Sequence, residues 1–248
     1  MELQGLRAIV TGAASGLGAA TARHLAEQGA TVTIFDLDTQ RGEDLAAEIG
    51  GFFQRTDVTS EDSVQSAVSA AARAMGGIDA LVNCAGIATG ERVVGREGPH
   101  RLDSFARTIN INLVGSFNVL RLAAVEMAKN PGPERGAIVN TASIAAFDGQ
   151  KGQAAYAASK GGIAGMTLPL ARDLATQGIR VCAIAPGIFG TPMMKGLPQE
   201  VQDTLAAEVT FPKRLGDPEE YARLAGFLIS CGYMNGEVIR LDGALRMR

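Results

Sequence analysis

The chain has 248 residues, with 23 Lys and Arg against 26 Asp and Glu; the formal net charge of −3 argues against nucleic-acid binding by phosphate neutralisation. With 46% hydrophobic and 20% charged residues the chain can bury a sizeable core, which excludes global disorder. No Trp, 5% aromatic residues and 31 Gly disfavour an all-β sandwich and suit tight βα turns.

Met1 leads within a few residues into apolar Ala8–Val10, leaving no room for a basic n-region and a signal-peptide core. No apolar run reaches the roughly 18 residues of a membrane span. Cys84, Cys182 and Cys231 are odd in number, far apart and accompanied by only two His, so neither a disulfide framework nor a metal site is expected. The expectation is a soluble protein of a reducing compartment, most simply the cytoplasm, or the mitochondrial matrix in a eukaryote, with no membrane or nucleic-acid partner.

Short β-rich runs alternate with longer helical patterns, the signature of a parallel sheet wrapped by crossover helices. Strands are predicted at Arg7–Thr11, Thr31–Asp36, Gly51–Thr56, Ala80–Asn83, Ala137–Thr141, Arg180–Ile184 and Val238–Leu241. After the first comes Gly12-Ala13-Ala14-Ser15-Gly16-Leu17-Gly18, opening a helix over Leu17–Gln28 that ends at Gly29. Gly12 permits a tight turn, Gly16 lets backbone N–H groups approach a pyrophosphate, and Gly18 allows close helix packing, so Gly12, Ser15, Gly16, Leu17 and Gly18 are expected to bind a dinucleotide.

Asp36 ends the second strand, where a carboxylate accepts ribose hydroxyls and repels a 2′-phosphate. Ala13, Ala14 and Leu37 are not basic and Arg41 is the one nearby cation, which favours NAD over NADP. A helix over Glu61–Met75 follows, announced by Thr59-Ser60 and closed by Gly76-Gly77. Ala88–Arg101 is Gly-rich and polar and reads as a surface loop. Ser143 follows the fifth strand, and Tyr156 and Lys160 lie four apart within the helical stretch Gln153–Thr176, projecting from one face. Ile188–Leu215 carries Pro192, Pro198 and Pro212 with a helix-like stretch near Gln199–Val209, and reads as a lid over the crevice at about 188–215. No linker or internal repeat divides the chain, so residues 1–248 are expected to form one dinucleotide-binding and catalytic domain, an α/β Rossmann-type doubly wound sheet of seven parallel strands.

These residues, together with Asn83-Cys84-Ala85-Gly86, Asn112 and Pro186-Gly187, occur in an order that resembles the short-chain dehydrogenase/reductase family over the whole chain. The resemblance implies Tyr156 as general acid/base, Ser143 as polariser of the substrate oxygen, Lys160 as ligand of the nicotinamide ribose and tuner of Tyr156, and Asn112 as holder of a relay water. It implies adenine contacts from Asp57 and Val58, and nicotinamide carboxamide contacts from Ile188, Phe189 and Thr191. Cys84 departs from the family, most of which carries Asn there; the position supplies mainly backbone to NAD.

Longer stretches, such as Gly149–Tyr156, Arg214–Pro218 and Asn235–Ala244, are similar to a branch that oxidises 3-hydroxyacyl-CoA and also hydroxysteroids. They imply interconversion of (S)-3-hydroxyacyl-CoA and 3-oxoacyl-CoA. Gln150 and Gln153 would bond the thioester region, Phe189, Met193 and Leu197 would surround the acyl chain, and Arg92, Arg96, Arg101, Lys195, Lys213 and Arg214 would hold CoA phosphates. A hydroxysteroid or small secondary-alcohol dehydrogenase, a 3-oxoacyl reductase and a non-catalytic dinucleotide-binding protein are the alternatives. A homotetramer is expected from the family, with Asn112–Met127 and Gly161–Leu170 as candidate interface helices.

Overall fold

Apolar strand sequences such as Arg7-Ala8-Ile9-Val10-Thr11 can be satisfied only with neighbours on both edges and cover on both faces. The computed structural model, which describes all residues except Glu97, Leu197 and Arg248 and the side chains of all others except Met193, Lys195 and Val201, builds that arrangement. Its strands are β1 Arg7–Thr11, β2 Thr31–Asp36, β3 Phe52–Arg55, β4 Ala80–Asn83, β5 Gly136–Thr141, β6 Ile179–Pro186 and β7 Val238–Leu241. They form one parallel sheet in the order β3-β2-β1-β4-β5-β6-β7.

Four strands match their predicted limits. β3 is shorter than predicted because, as an edge strand, it has only β2 to hold it. β6 is longer because it is buried throughout and paired on both sides.

One face of the sheet is covered by α1 Gly16–Glu27, α2 Thr39–Ile49 and α9 Pro218–Ser230. The other is covered by α3 Glu61–Met75, α5 Gly115–Met127 and α6 Ala154–Leu174. Local chemistry sets the helix limits. Ser60 caps α3 by accepting the Ser63 N–H, worth about 1 kcal/mol, and Gly76 ends it in the left-handed region at φ 75°. Gln153 lies just outside α6, and its last turn tightens into a 3-10 turn over Ala175–Gln177.

The helix α4 Leu102–Ile109 runs into α5 through a π-helical turn over Asn110–Val114, which no sequence signal announced. The run Leu102–Met127 is long and apolar enough to cross a membrane by composition, yet half of its most apolar 18-residue stretch is buried within the protein.

The predicted loop Ala88–Arg101 is partly ordered as a small antiparallel hairpin, Val94–Gly95 against Gly98–Pro99. Its stem is anchored, since the Glu91 carboxylate accepts the Arg101 N–H at 2.6 Å and the Glu91 N–H donates to the Gly152 carbonyl at 2.8 Å. Within 188–215 the predicted helix is present as α8 Gln199–Glu208, preceded by the short α7 Pro192–Lys195. Strands β1 and β4 are neighbours whose following helices cover opposite faces, which opens a crevice at their carboxyl ends.

Candidate active site

The crevice is a cleft of about 920 Å³ lined by the first turn, the ends of β2 and β4 and the α4–π junction. The turn requires glycine at three points: Gly12 and Gly16 have φ 62° and 57°, and a Cβ on Gly12 would stand 2.7 Å from the Ala85 backbone. A Cβ on Gly18 would collide with the Gly12 carbonyl. The result is a cradle of bare backbone at the N-terminus of α1, electrostatically suited to an anion.

Asp36 stands at the far wall, its two oxygens accepting the Ala14 N–H at 2.9 Å and the Asp38 N–H at 3.0 Å. Asp57 closes its own turn by accepting from the Thr59 N–H and hydroxyl, which leaves Val58 beside it on the cleft wall. Cys84 lines the floor, its thiol pushed up by burial, and Thr191 faces Gly16 across the opening. Bare turn, carboxylate and elongated cleft fit a dinucleotide.

The second part of the site lies where β5 meets α6. Tyr156 and Lys160 are one helical turn apart, with the ammonium 5.8 Å from the phenol ring centroid. Burial pushes the Tyr156 phenol above its ordinary value, and the nearby Ser143 hydroxyl partly offsets the rise. Lys160 is buried and donates to the Thr141 carbonyl at 2.7 Å, and desolvation lowers its ammonium to about 8. Asn112 is buried in the π turn. Its side chain accepts the Ile87 N–H at 2.8 Å and donates to the Ile87 carbonyl at 2.9 Å and the Ser159 hydroxyl at 3.0 Å, clamping the β4 turn to α6. The π turn re-aims the helix locally, as such turns do at functional sites.

Gly12, Ser15, Gly16, Leu17, Gly18, Asp36, Asp57, Val58, Cys84 and Thr191 thus share one cleft. Ile188 and Phe189 do not line it; they border a smaller cavity of about 230 Å³ with Val209, Pro212 and Leu241. Phe189 is therefore not an acyl-chain contact: its ring is buried edge-on to Tyr221 and close to Gly216, leaving only its backbone for a ligand. Gln153 accepts the Gln150 N–H at 2.9 Å and so holds its own loop.

Three of the expected phosphate-binding cations are otherwise engaged. Arg214 pairs with Glu220 at 2.7 Å, Lys213 donates to the Ala207 carbonyl, and Arg101 lies 3.7 Å from Glu91. Arg92 and Arg96 are exposed, while Leu197 and the side chains of Met193 and Lys195 lie outside the described residues. Sequence reasoning did not single out Arg107, Asn110 and Ile111, which also line the cleft; Arg107 lies on the amphipathic α4 and Asn110 and Ile111 on the π turn, with no motif of their own.

A family profile described as "Enoyl-(Acyl carrier protein) reductase" matches residues 12–245. The chain is 54% identical to the "3-hydroxyacyl-CoA dehydrogenase type-2" of Bos taurus over 254 aligned residues, covering 100% of this chain and 97% of that protein. It is 38% identical to a "3-oxoacyl-[acyl-carrier-protein] reductase" of Thermotoga maritima, with 99% of each chain covered. Among solved structures, a 3-hydroxyacyl-CoA dehydrogenase type-2 from Mycobacterium avium superposes with a TM-score of 0.95 at 47% identity, over 98% of this chain and 97% of that one.

Proposed function

The chain belongs to the short-chain dehydrogenase/reductase family, and within it we propose an NAD-dependent oxidoreductase that interconverts (S)-3-hydroxyacyl-CoA and 3-oxoacyl-CoA by hydride transfer. The observation that carries this reading is full-length similarity to enzymes of that name, combined with an intact Ser143–Tyr156–Lys160 group beside a dinucleotide-shaped cleft. NAD, when bound, supplies the hydride acceptor. The Gly12–Gly18 turn would hold its pyrophosphate, Asp36 its adenine ribose, Asp57 and Val58 its adenine edge, and Lys160 its nicotinamide ribose. Thr191 and the backbone of Ile188 and Phe189 would meet the carboxamide.

In alcohol oxidation Tyr156 removes the hydroxyl proton while Ser143 orients the substrate oxygen. Burial holds Tyr156 protonated in the free protein; the Lys160 ammonium, 5.8 Å from its ring centroid, and the bound nicotinamide would pull it toward the phenolate. The Asn112 side chain is committed to Ile87 and Ser159, so a relay water would have to be held by its main chain, whose carbonyl also accepts the Ser116 hydroxyl at 2.7 Å. Exposed Arg92 and Arg96 on the hairpin would bind the CoA phosphates, so that remote binding energy orients the carbinol. The free cysteines fit a reducing compartment.

The test compares kcat/KM for a short or branched (S)-3-hydroxyacyl-CoA with its pantetheine thioester, and repeats both on Arg92→Ala/Arg96→Ala. The CoA ester should be favoured about tenfold at low salt, and the double variant and high salt should each shrink that advantage. Inert hydroxyacyl thioesters beside a well-oxidised steroid or simple alcohol would remove the acyl-CoA assignment and leave the dehydrogenase.

We further propose a homotetramer. Exposed Val114, Phe117 and Val125 on the π–α5 run and Leu168 on α6 are apolar surface that subunit contacts would bury. Light scattering should give four chains per particle; a stable monomer at working concentration would overturn this.

A further inference from the structure

The catalytic lysine does not stand on its own helix alone: the carbonyl that receives its ammonium belongs to Thr141, at the end of β5. The Thr141 hydroxyl lies 2.5 Å from the Asn83 carbonyl and 2.6 Å from the Tyr221 hydroxyl. A carbonyl only accepts, so the single Thr141 proton goes to Asn83 and the Tyr221 O–H must be the donor to Thr141. The Cys84 thiol, 3.7 Å from the Tyr221 oxygen, completes a one-way chain from Cys84 to Tyr221, Thr141 and Asn83. Asn83, Thr141 and Tyr221 are buried and burial also raises the Cys84 thiol, so an unmade bond in this chain is expensive.

Tyr221 is held firmly enough to impose that geometry. It lies in the first turn of α9, whose N-terminus is closed by a capping box between Asp217 and Glu220, with Arg214 forked onto Glu220. Its ring is wholly buried and meets Phe189 edge-on at 6.5 Å. Burial keeps its phenol well above the ordinary value, so it remains a donor throughout the working pH range.

We propose that Tyr221 is a positioning residue for Lys160: its hydroxyl fixes Thr141, and Thr141 presents the carbonyl on which the ammonium docks. The inference rests on the role of Lys160 in the proposed reaction and is independent of which secondary alcohol is the substrate. The ionisable groups facing Lys160 are Tyr156 from its own helix, Cys84 from the β4 turn and, beyond Thr141, Tyr221 from α9. Among the described residues no carboxylate pairs with it. Beside the Cys84 sulfur, the docking carbonyl at 2.7 Å is the hydrogen-bond acceptor that favours the charged form.

The test is Tyr221→Phe, which keeps the ring and its contact with Phe189 and deletes only the donor. In cofactor-free protein with 13C-labelled lysine, the Lys160 resonance, identified by its loss in Lys160→Arg, should titrate about half to one pH unit lower than in wild type. A less protonated Lys160 lowers Tyr156 less, so the acidic limb of kcat/KM should move upward by a similar amount, with up to about a tenfold loss below it. Thr141→Ser, which keeps a hydroxyl, should follow wild type. Thr141→Val should follow Tyr221→Phe, and combining Thr141→Val with Tyr221→Phe should add little.

A Lys160 titration and pH profile unmoved in Tyr221→Phe, even with a lower Tm, would overturn the proposal. If Tyr221→Phe does not fold, equal Lys160 midpoints in Thr141→Ser and Thr141→Val overturn it. A wild type inactive on every secondary alcohol would instead remove the proposed reaction, leaving the lysine titrations, which need neither substrate nor cofactor, to decide this point.

Discussion

Tyr156→Phe is expected to reduce kcat for alcohol oxidation by about 10³-fold, or roughly 4 kcal/mol of barrier, while the Kd for NADH stays within about threefold of wild type. Phenylalanine keeps the ring that packs here, so neither α6 nor the cleft is disturbed; what disappears is the phenol oxygen beside Ser143. Tyr221 cannot substitute, because its hydroxyl is enclosed between Thr141 and Cys84 and remains protonated. Once bound NAD and Lys160 bring Tyr156 down from its raised value in the free protein, activity should rise with pH as Tyr156 ionises and fall as Lys160 loses its charge. Stopped-flow turnover beside fluorescence titration of NADH measures both quantities. Retention of a substantial fraction of kcat at saturating substrate would assign the base elsewhere.

Asp36→Ala should change cofactor preference, raising the Kd for NADH by about 10²-fold while NADPH is affected far less, since two charge-assisted bonds to the ribose are each worth about 1.5–3 kcal/mol. Asp36 also accepts the Ala14 and Asp38 N–H groups, so part of the loss will come from a looser turn. The ratio of the two affinities cancels that part, because both cofactors use the same turn. Arg41 is the nearest candidate for a 2′-phosphate and is paired with Asp38 at 2.7 Å, which would favour NADH in the proposed wild-type enzyme. Equal affinities in wild type, or an unchanged ratio in Asp36→Ala, would refute the NAD assignment.

Most of the sheet was legible because buried parallel strands are written as continuous apolar runs punctuated by glycine, as in Arg7–Thr11 followed by Gly12. The cofactor turn was legible for a related reason: Gly12 and Gly18 sit where any side chain would strike backbone, so the chemistry is visible in the residue type. Direction of side chains was not. Phe189 follows the correct strand and stands in the expected loop, yet its ring turns inward because Tyr221 and Gly216 offer a buried site for it. Likewise Lys213 and Arg214 look available in sequence, and only the fold brings the Ala207 carbonyl and Glu220 to them. The π turn around Asn112 arises from tertiary packing on Ile87 and Ser159, which no local propensity encodes.

The order of strands also dictates the order in which the molecule becomes whole. β1 pairs with β2, next in sequence, but its other edge is closed only by β4, after two further helices have been made. A nascent chain carrying β1, β2 and β3 therefore has one open strand edge with the apolar centre Ala8-Ile9-Val10 at what will be the middle of the sheet, the kind of surface that invites self-association. The dinucleotide cleft straddles the same seam, with Gly12 and Asp36 on one bank and Cys84 and Ala85 on the other. Nucleotide can accordingly add its binding energy only once that seam has shut, contributing about 2.7 kcal/mol at a hundredfold excess over Kd. Cofactor supply then acts as a clamp on the joined halves, and depletion should release first the association that synthesis completed late.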